Sequence, residues 1–229
     1  MNILTMDSSQ EVLSVALGTG GRVFYTEIDA GQRHSELLMD CVDRLCTLAE
    51  IHPADLNLVA CMKGPGSFTG LRIAYAAAKG LSVALGIPLA VGPTLDCLAW
   101  HLSAWPGIVI PVMDAKQGRF FTALYRQGKQ ISPYMDAGPE TLTEEIEKAE
   151  LSPAEKIILT GPGADLLLSR LTDLNLDSRQ DFIIDPQYRR GRARELLEIA
   201  KNATIVGTEH LDSGPLYLRK SDAEINRKS

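Results

Sequence analysis

Nowhere does this chain place two histidines one helical turn apart. Its histidines are His34, His52, His101 and His210, so no helix can turn two imidazoles toward one ion, as a zinc hydrolase of the His-x-x-x-His type requires. Cysteine pairs are missing as well. Cys41, Cys46, Cys61 and Cys97 lie inside apolar patterns without Cys-x-x-Cys spacing, which argues against a metal ribbon or redox dithiol and predicts buried free thiols. No run of ~18 consecutive apolar residues occurs, the longest candidate being broken by Lys79 and Gly80, so a membrane helix is not expected. The opening Met1-Asn-Ile-Leu-Thr-Met-Asp7 lacks the basic region and apolar core of a secretory signal, and a cytoplasmic location is expected. Positive charge is also scarce: the formal net charge is -6, so the surface as a whole offers no field for holding RNA unaided. The one basic cluster, Arg189, Arg190, Arg192 and Arg194, reads first as a solvated helix start and only second as a phosphate-binding surface.

What remains is a chain of 229 residues, 45% hydrophobic and 23% charged, long enough to bury a substantial core as one large domain or two small lobes. Internal repetition favours two. An offset of 107 residues pairs Met6-Asp7 with Met113-Asp114, Ala16-Leu17 with Ala123-Leu124, Gly21 with Gly128 and Arg22 with Lys129. Further on, Gly64-Pro-Gly66 and Gly161-Pro-Gly163 each follow an apolar strand and precede a helical pattern, at an offset of 97, a drift that insertions explain.

Each half reads as strand, hairpin, helix, strand, helix. In the first half these fall at 2–7, 12–18, 22–28, 34–50, 56–62 and 68–85, with Thr19-Gly-Gly21 as the turn,. The second repeats them at 108–113, 119–126, 129–135, 140–149, 157–160 and 163–171, with a further helix at 190–202. Such an order predicts α/β lobes with mixed sheets flanked by helices. Their boundaries are expected at 1–106 and 107–203, dividing near Trp105-Pro-Gly107, with a polar tail at 204–229.

Two helices stand out. The first carries Leu37, Leu38, Cys41, Val42, Leu45, Leu48 and Ala49 at the spacing of one buried stripe, and His34 at its start is expected to cap the first turn or touch a partner,. The second, about Phe68 to Leu85, is small or apolar nearly all round. Its own sheet can cover one side, leaving Gly70, Ala74, Ala77, Leu81 and Ala84 as a second stripe for a neighbour, either another part of the chain or a partner,. Asp7, Ser8 and Ser9 read either as a strand-end turn satisfying local backbone or as the remnant of a nucleotide pocket, to which Gly161 and Gly163 would add amides,. The Gly-Lys-Ser/Thr ending of a Walker loop is missing from both Gly-Pro-Gly turns,.

The run Gly64-Pro-Gly-Ser-Phe-Thr-Gly-Leu-Arg72, the stretch Arg33-His-Ser-Glu-Leu-Leu38 and the late Pro215-Leu-Tyr-Leu-Arg219 resemble the TsaB (YeaZ) family over most of the chain. That resemblance implies a reduced actin-like, ribonuclease H-like fold of two duplicated lobes. In that fold a phosphotransferase keeps an acidic residue at the position of Asp7. It also implies a role in placing threonylcarbamoyl on adenosine 37 of tRNAs reading ANN codons, without catalytic residues of its own. By the same resemblance the first-lobe helices pair with TsaD, which carries the metal site, or with a second copy; the ATPase TsaE joins the complex, and tRNA is reached indirectly. No metal or cofactor is required on this reading, and a partner seam leaves room for ATP or ADP. The partner-binding residues it implies are His34, Leu37, Leu38, Cys41, Leu45, Gly70, Ala74, Ala77, Leu81 and Ala84. Rival readings are an active actin-like phosphotransferase and, weakened by the missing histidine pair, a glycoprotease-type metallopeptidase.

Overall fold

A computed structural model describes residues 1–152, 155–176 and 181–202. The chain divides into two compact units, Met1–Leu98 together with the chain from Arg189 through the last described helix, and Ala99–Tyr188.

In the first unit an antiparallel meander, β1 (Ile3–Asp7), β2 (Val12–Thr19) and β3 (Arg22–Asp29), leads into α1 (His34–Ala49). β4 (Leu58–Gly64), α2 (Phe68–Leu85) and β5 (Leu89–Pro93) then build parallel strands onto β1, giving the order β3-β2-β1-β4-β5, and the short α3 (Thr94–Trp100) follows. Alternation along these strands splits the core in two. Leu4, Met6, Val59 and Cys61 face Leu38, Leu45 and Ala74 of α1 and α2, while Ile3, Leu58, Ala60 and Met62 face Leu196, Leu197 and Ala200 of the last helix, α6 (Ala193–Asn202). Strands covered on both faces read as continuous apolar runs. The Ser67 hydroxyl accepts from Gly70 N at the start of α2, and Gly86, with φ 65°, ends it in the left-handed region,.

The second unit repeats that plan. β6 (Ile108–Lys116) pairs antiparallel with β7 (Arg119–Thr122), which pairs with β10 (Met135–Ala137). After α4 (Pro139–Lys148), β11 (Ile157–Thr160) lies parallel to β6; α5 (Ala164–Asp173) follows, and β12 (Phe182–Ile184) lies parallel to β11. The order β10-β7-β6-β11-β12 is that of the first sheet, element for element, with a side hairpin of β8 (Tyr125–Arg126) and β9 (Lys129–Gln130) against β6. Leu142, Ile146, Leu167 and Leu171 of α4 and α5 close the core over Ile110, Val112 and Leu159.

The duplication inferred from sequence is therefore present in the backbone. Gly20 and Gly21 take φ of 55° and 77° between β2 and β3; Gln127 and Gly128, at the 107-residue offset, take 50° and 71° between β8 and β9. Both are two-residue turns with consecutive positive φ, the form that matches strand twist.

Three expectations are corrected. The boundary between units falls at Leu98 and Ala99 and not near Trp105-Pro-Gly107. The latter stretch is tied into the second unit, where Trp105 Nε1 and Ile108 N both donate to the carbonyl of Lys156. Sequence order places the helix at 190–202 in the second lobe; as α6 it completes the first. Strand β4 begins at Leu58 and not at 56 because a 3-10 turn at Pro53–Asp55 occupies the preceding chain. The expected tail at 204–229, and with it Pro215-Leu-Tyr-Leu-Arg219, lies outside the described residues.

Candidate functional site

At the end of β1 the chain turns through Asp7, Ser8 and Ser9, all buried. Asp7 Oδ1 accepts from Ser9 N at 2.9 Å and Ser9 Oγ at 2.6 Å, and Oδ2 accepts from Arg192 N at 2.9 Å. Ser8 Oγ donates to the carbonyl of Gly70 at 2.7 Å. The carboxylate and both hydroxyls that a nucleotide pocket would aim at metal or phosphate are thus engaged inside the first unit. Partners of this kind are those of a strand-end turn that satisfies its own backbone. Gly70 itself is part of this contact, since a Cβ there would fall on the Ser8 carbonyl oxygen.

In the second unit, Gly161 has φ 91°, and Gly163 N donates to the carbonyl of Val112 at 3.0 Å. A Cβ on Gly163 would stand 3.0 Å from Asp114 N. This turn is therefore used to bring α5 down onto β6. Asp114 is half-buried and accepts from Lys116 N at 2.7 Å and Lys116 Nζ at 2.8 Å. A polar cluster that sequence patterns did not bring together lies at the C-terminal end of β11. Thr160 Oγ1 and His101 Nε2 donate to Asp185 Oδ2 at 2.7 and 2.8 Å, and Gln187 N donates to Oδ1 at 2.9 Å. Burial works to raise the Asp185 pKa, but His101, the Gln187 amide and Thr160 outweigh it and hold the carboxyl down at about 2,. Its members are 84 and 25 residues apart, a separation at which no local motif forms.

The expected partner residues divide by exposure. Leu38, Cys41, Leu45 and Ala74 are in the first unit's own core, Gly70 is buried against Ser8, and His34 is buried with Nε2 donating to the Gln10 carbonyl at 2.8 Å. These six face inward and are corrected as candidates for a free surface. Leu37, Ala77 and Leu81 are half-buried at the edge of that core, and Ala84 is exposed. The outward line of α2 runs through Thr69, Arg72, Ala76, Gly80 and Val83. It sits one residue earlier than the stripe expected from sequence, a rotation of about 100°. Val83 is 67% exposed, and on α1 Leu48 is 66% exposed. At the head of α2 the guanidinium of Arg72 lies 3.7 Å over the Phe68 ring.

All four cysteines are buried. Burial alone pushes the Cys61 thiol up to about 12; burial first, then Asp7, Asp96 and Glu195, raise Cys97, with Arg192 opposing. None is poised as a thiolate nucleophile. Of the four arginines weighed as a phosphate patch, Arg192 is buried beside Glu195 and Arg190 is paired with Glu27 at 2.7 Å. The cluster is thus smaller than its sequence suggests. Among the described residues, no group of three His, Cys, Asp or Glu side chains is arranged to hold a metal, and no helix is long and apolar enough to cross a membrane.

Two sheets of one shared order, each with its first strand antiparallel to the second and parallel to the fourth, define the duplicated-lobe α/β class of actin-like and ribonuclease H-like proteins. Comparison with known proteins agrees and goes further. Residues 26–164 match the family described as "TsaD: tRNA N6-adenosine threonylcarbamoyltransferase". The chain is similar to the tRNA threonylcarbamoyladenosine biosynthesis protein TsaB of Escherichia coli, with 31% identity covering 97% of this chain and 96% of that protein. It is also similar to the Bacillus subtilis protein of the same name, 35% identical over 55% of this chain and 56% of that one, so this second match spans little more than half of either protein. Among solved structures, an uncharacterized Pseudomonas aeruginosa protein with similarity to peptidase YeaZ shares the fold at a TM-score of 0.77 and 24% identity, covering 95% of this chain and 99% of that one. The chain belongs to the TsaB (YeaZ) family.

Proposed function

We propose that this protein serves tRNA threonylcarbamoyladenosine biosynthesis as a non-catalytic subunit that docks on TsaD and activates it. One observation carries the reading: the strand-end carboxylate that an actin-like phosphotransferase would direct at its substrate is bonded to the chain's own Ser9 and Arg192, while the second half of α2 presents the small and apolar Ala76, Gly80 and Val83 outward. Closely approaching helices need small side chains, and Ala76, Gly80 and Ala84 supply them, with Val83 as the larger contact,. Burying such a face gains ~25 cal/mol per Å² of apolar area, offset in part by the freedom lost on association. Leu37, Ala77 and Leu81 lie at its margin. On this reading the free chain covers the same face by pairing with itself, TsaE and tRNA are engaged through TsaD, the work is cytoplasmic, and any ATP or ADP is held at the seam and not by Asp7, Ser8 or Ser9.

A charge in the middle of the exposed line should block docking without disturbing the core. Val83→Glu is expected to reduce co-purification with TsaD by tenfold or more and to lower threonylcarbamoyladenosine formation in a mixture of this chain, TsaD, TsaE and the threonylcarbamoyl donor. Thr47→Glu on α1, also exposed, should leave both unchanged. Full binding and full modification by the Val83→Glu protein would refute the assigned face.

A further inference from the structure

We infer that the first unit contains a built-in peptide-binding cleft, formed by side chains of β1, β2, β3 and the turn after β1, whose ligand is the chain's own segment Arg190–Ala193, with Asp7 as its principal anchor. Buried backbone N–H and C=O groups must find partners, and here each can be traced. The Arg190 carbonyl accepts from Gln10 Nε2 at 2.8 Å, Gly191 N donates to Glu27 Oε2 at 3.3 Å, and the Gly191 carbonyl lies 3.0 Å from the Tyr25 hydroxyl. Arg192 N donates to Asp7 Oδ2, and the Arg192 carbonyl accepts from Leu196 N at 2.9 Å in the first turn of α6. Ala193 N donates to Ser14 Oγ at 3.0 Å, and the Ala193 carbonyl accepts from Thr5 Oγ1 at 2.6 Å.

Seven consecutive main-chain groups meet a polar partner, six of them side chains more than 160 residues away in sequence, although the Gly191 carbonyl shares the one Tyr25 hydroxyl proton with Glu27 Oε2, 2.7 Å from that hydroxyl,. Secondary structure ordinarily meets this need backbone to backbone; side chains from several strands meeting one short irregular segment that runs into a helix is how a receptor reads a peptide,. The fit is steric too. A Cβ on Gly191 would collide with the Ser14 side chain, so glycine is required at the point of closest approach. The segment also brings a charge inward, since the Arg192 side chain is 1% exposed and lies 3.5 Å from Glu195. A first unit without this segment would leave Asp7 Oδ2, Ser14 and Thr5 without these partners,.

Residue-resolved hydrogen exchange on the full chain tests the assignment. In Asp7→Asn the amide group would retain one oxygen for Ser9 but turn an NH₂ toward Arg192 N–H. Exchange at the Arg192 and Ala193 amides should accelerate at least tenfold relative to those of β4 and β5, because the cleft releases its segment locally. Gln10→Ala, which removes only the contact to Arg190, and Tyr25→Phe should give smaller accelerations confined to residues 190–193. They decide the matter by the same criterion should the Asp7 variant fail to fold. Rates at 190–193 that are unchanged, or that rise no more than those of β4 and β5, would overturn the inference.

Discussion

Asp7 and Asp114 stand 107 residues apart, each near the end of the first strand of its unit's sheet, and each is followed by a tight turn into the second strand. Asp7 is sealed from solvent and holds Ser9 and the amide of Arg192; Asp114 is 31% exposed at its side chain and, among the described residues, holds Lys116, two residues on. One backbone plan thus carries two electrostatic solutions. The first unit gained a returning segment and α6, whose amide at Arg192 satisfies the carboxylate from within, while in the second unit a flexible lysine in water does so. The two aspartates thus differ in burial and in the groups that hold them, not in their place along the strand.

The largest contrast should come from the glycines that set these strand ends against the helices. Gly70→Ala gains ~1 kcal/mol of helix propensity, but its Cβ would fall on the Ser8 carbonyl oxygen, a backbone atom that cannot rotate away. A net loss of about 3 kcal/mol is expected. Gly163→Ala places its Cβ 3.0 Å from Asp114 N, a contact relieved by a shift of a few tenths of an ångström, and should cost about 1 kcal/mol. Chemical denaturation of the two variants measures both. A larger loss for Gly163→Ala would mean that the second unit is the more rigid at this point.

An intermediate effect separates the units by pH. Asp185 in the second unit has its pKa held at about 2 against an ordinary 3.8. A carboxyl depressed by folding contributes stability that is fully present above 3.8 and is lost as pH falls toward 2. The loss should be about 2 kcal/mol, roughly 1.4 kcal/mol for each pH unit of depression. Asp185→Asn should flatten the stability profile between pH 4 and 2 in probes of the second unit, such as amide exchange in β11. An unchanged slope would show that another group titrates there.

How far the sequence foretold these differences depends on distance along the chain. Helix α2 was legible end to end because its signals are local: Ser67 before it, Gly86 after it and a run of small helix formers between. The Gly20-Gly21 turn was legible for the same reason. Which side of α2 faces outward was not, since a helix small on all sides has no contrast for periodicity to find; the contact of Gly70 with Ser8, 62 residues earlier, decides it. Likewise α6 has strong amphipathic spacing, but nothing in Leu196 and Leu197 says which sheet they will cover. The short β12, three residues from Phe182 to Ile184, carried too little pattern to be seen. Cleft and polar cluster alike depend on side-chain contacts between groups 25 to 188 residues apart, beside a few local ones, and across such distances single-sequence reasoning has no purchase.

The smallest effect is the most direct check on the comparison of aspartates. Asp114→Asn removes one partner of an ion pair whose lysine side chain is 82% exposed, and such pairs are worth ~0–1 kcal/mol because water screens them and the lysine gives up rotamer freedom to form them. The Asn oxygen can still accept from Lys116 N, so the turn itself should persist. An unfolding free energy in urea within about 1 kcal/mol of the parent protein's is therefore expected, with the difference shrinking further in 1 M salt, where charges are screened beyond ~3 Å. Should the loss instead be large and insensitive to salt, Asp114 would be acting through a dry, unscreened partner as Asp7 does, and the two units would share one electrostatic design after all.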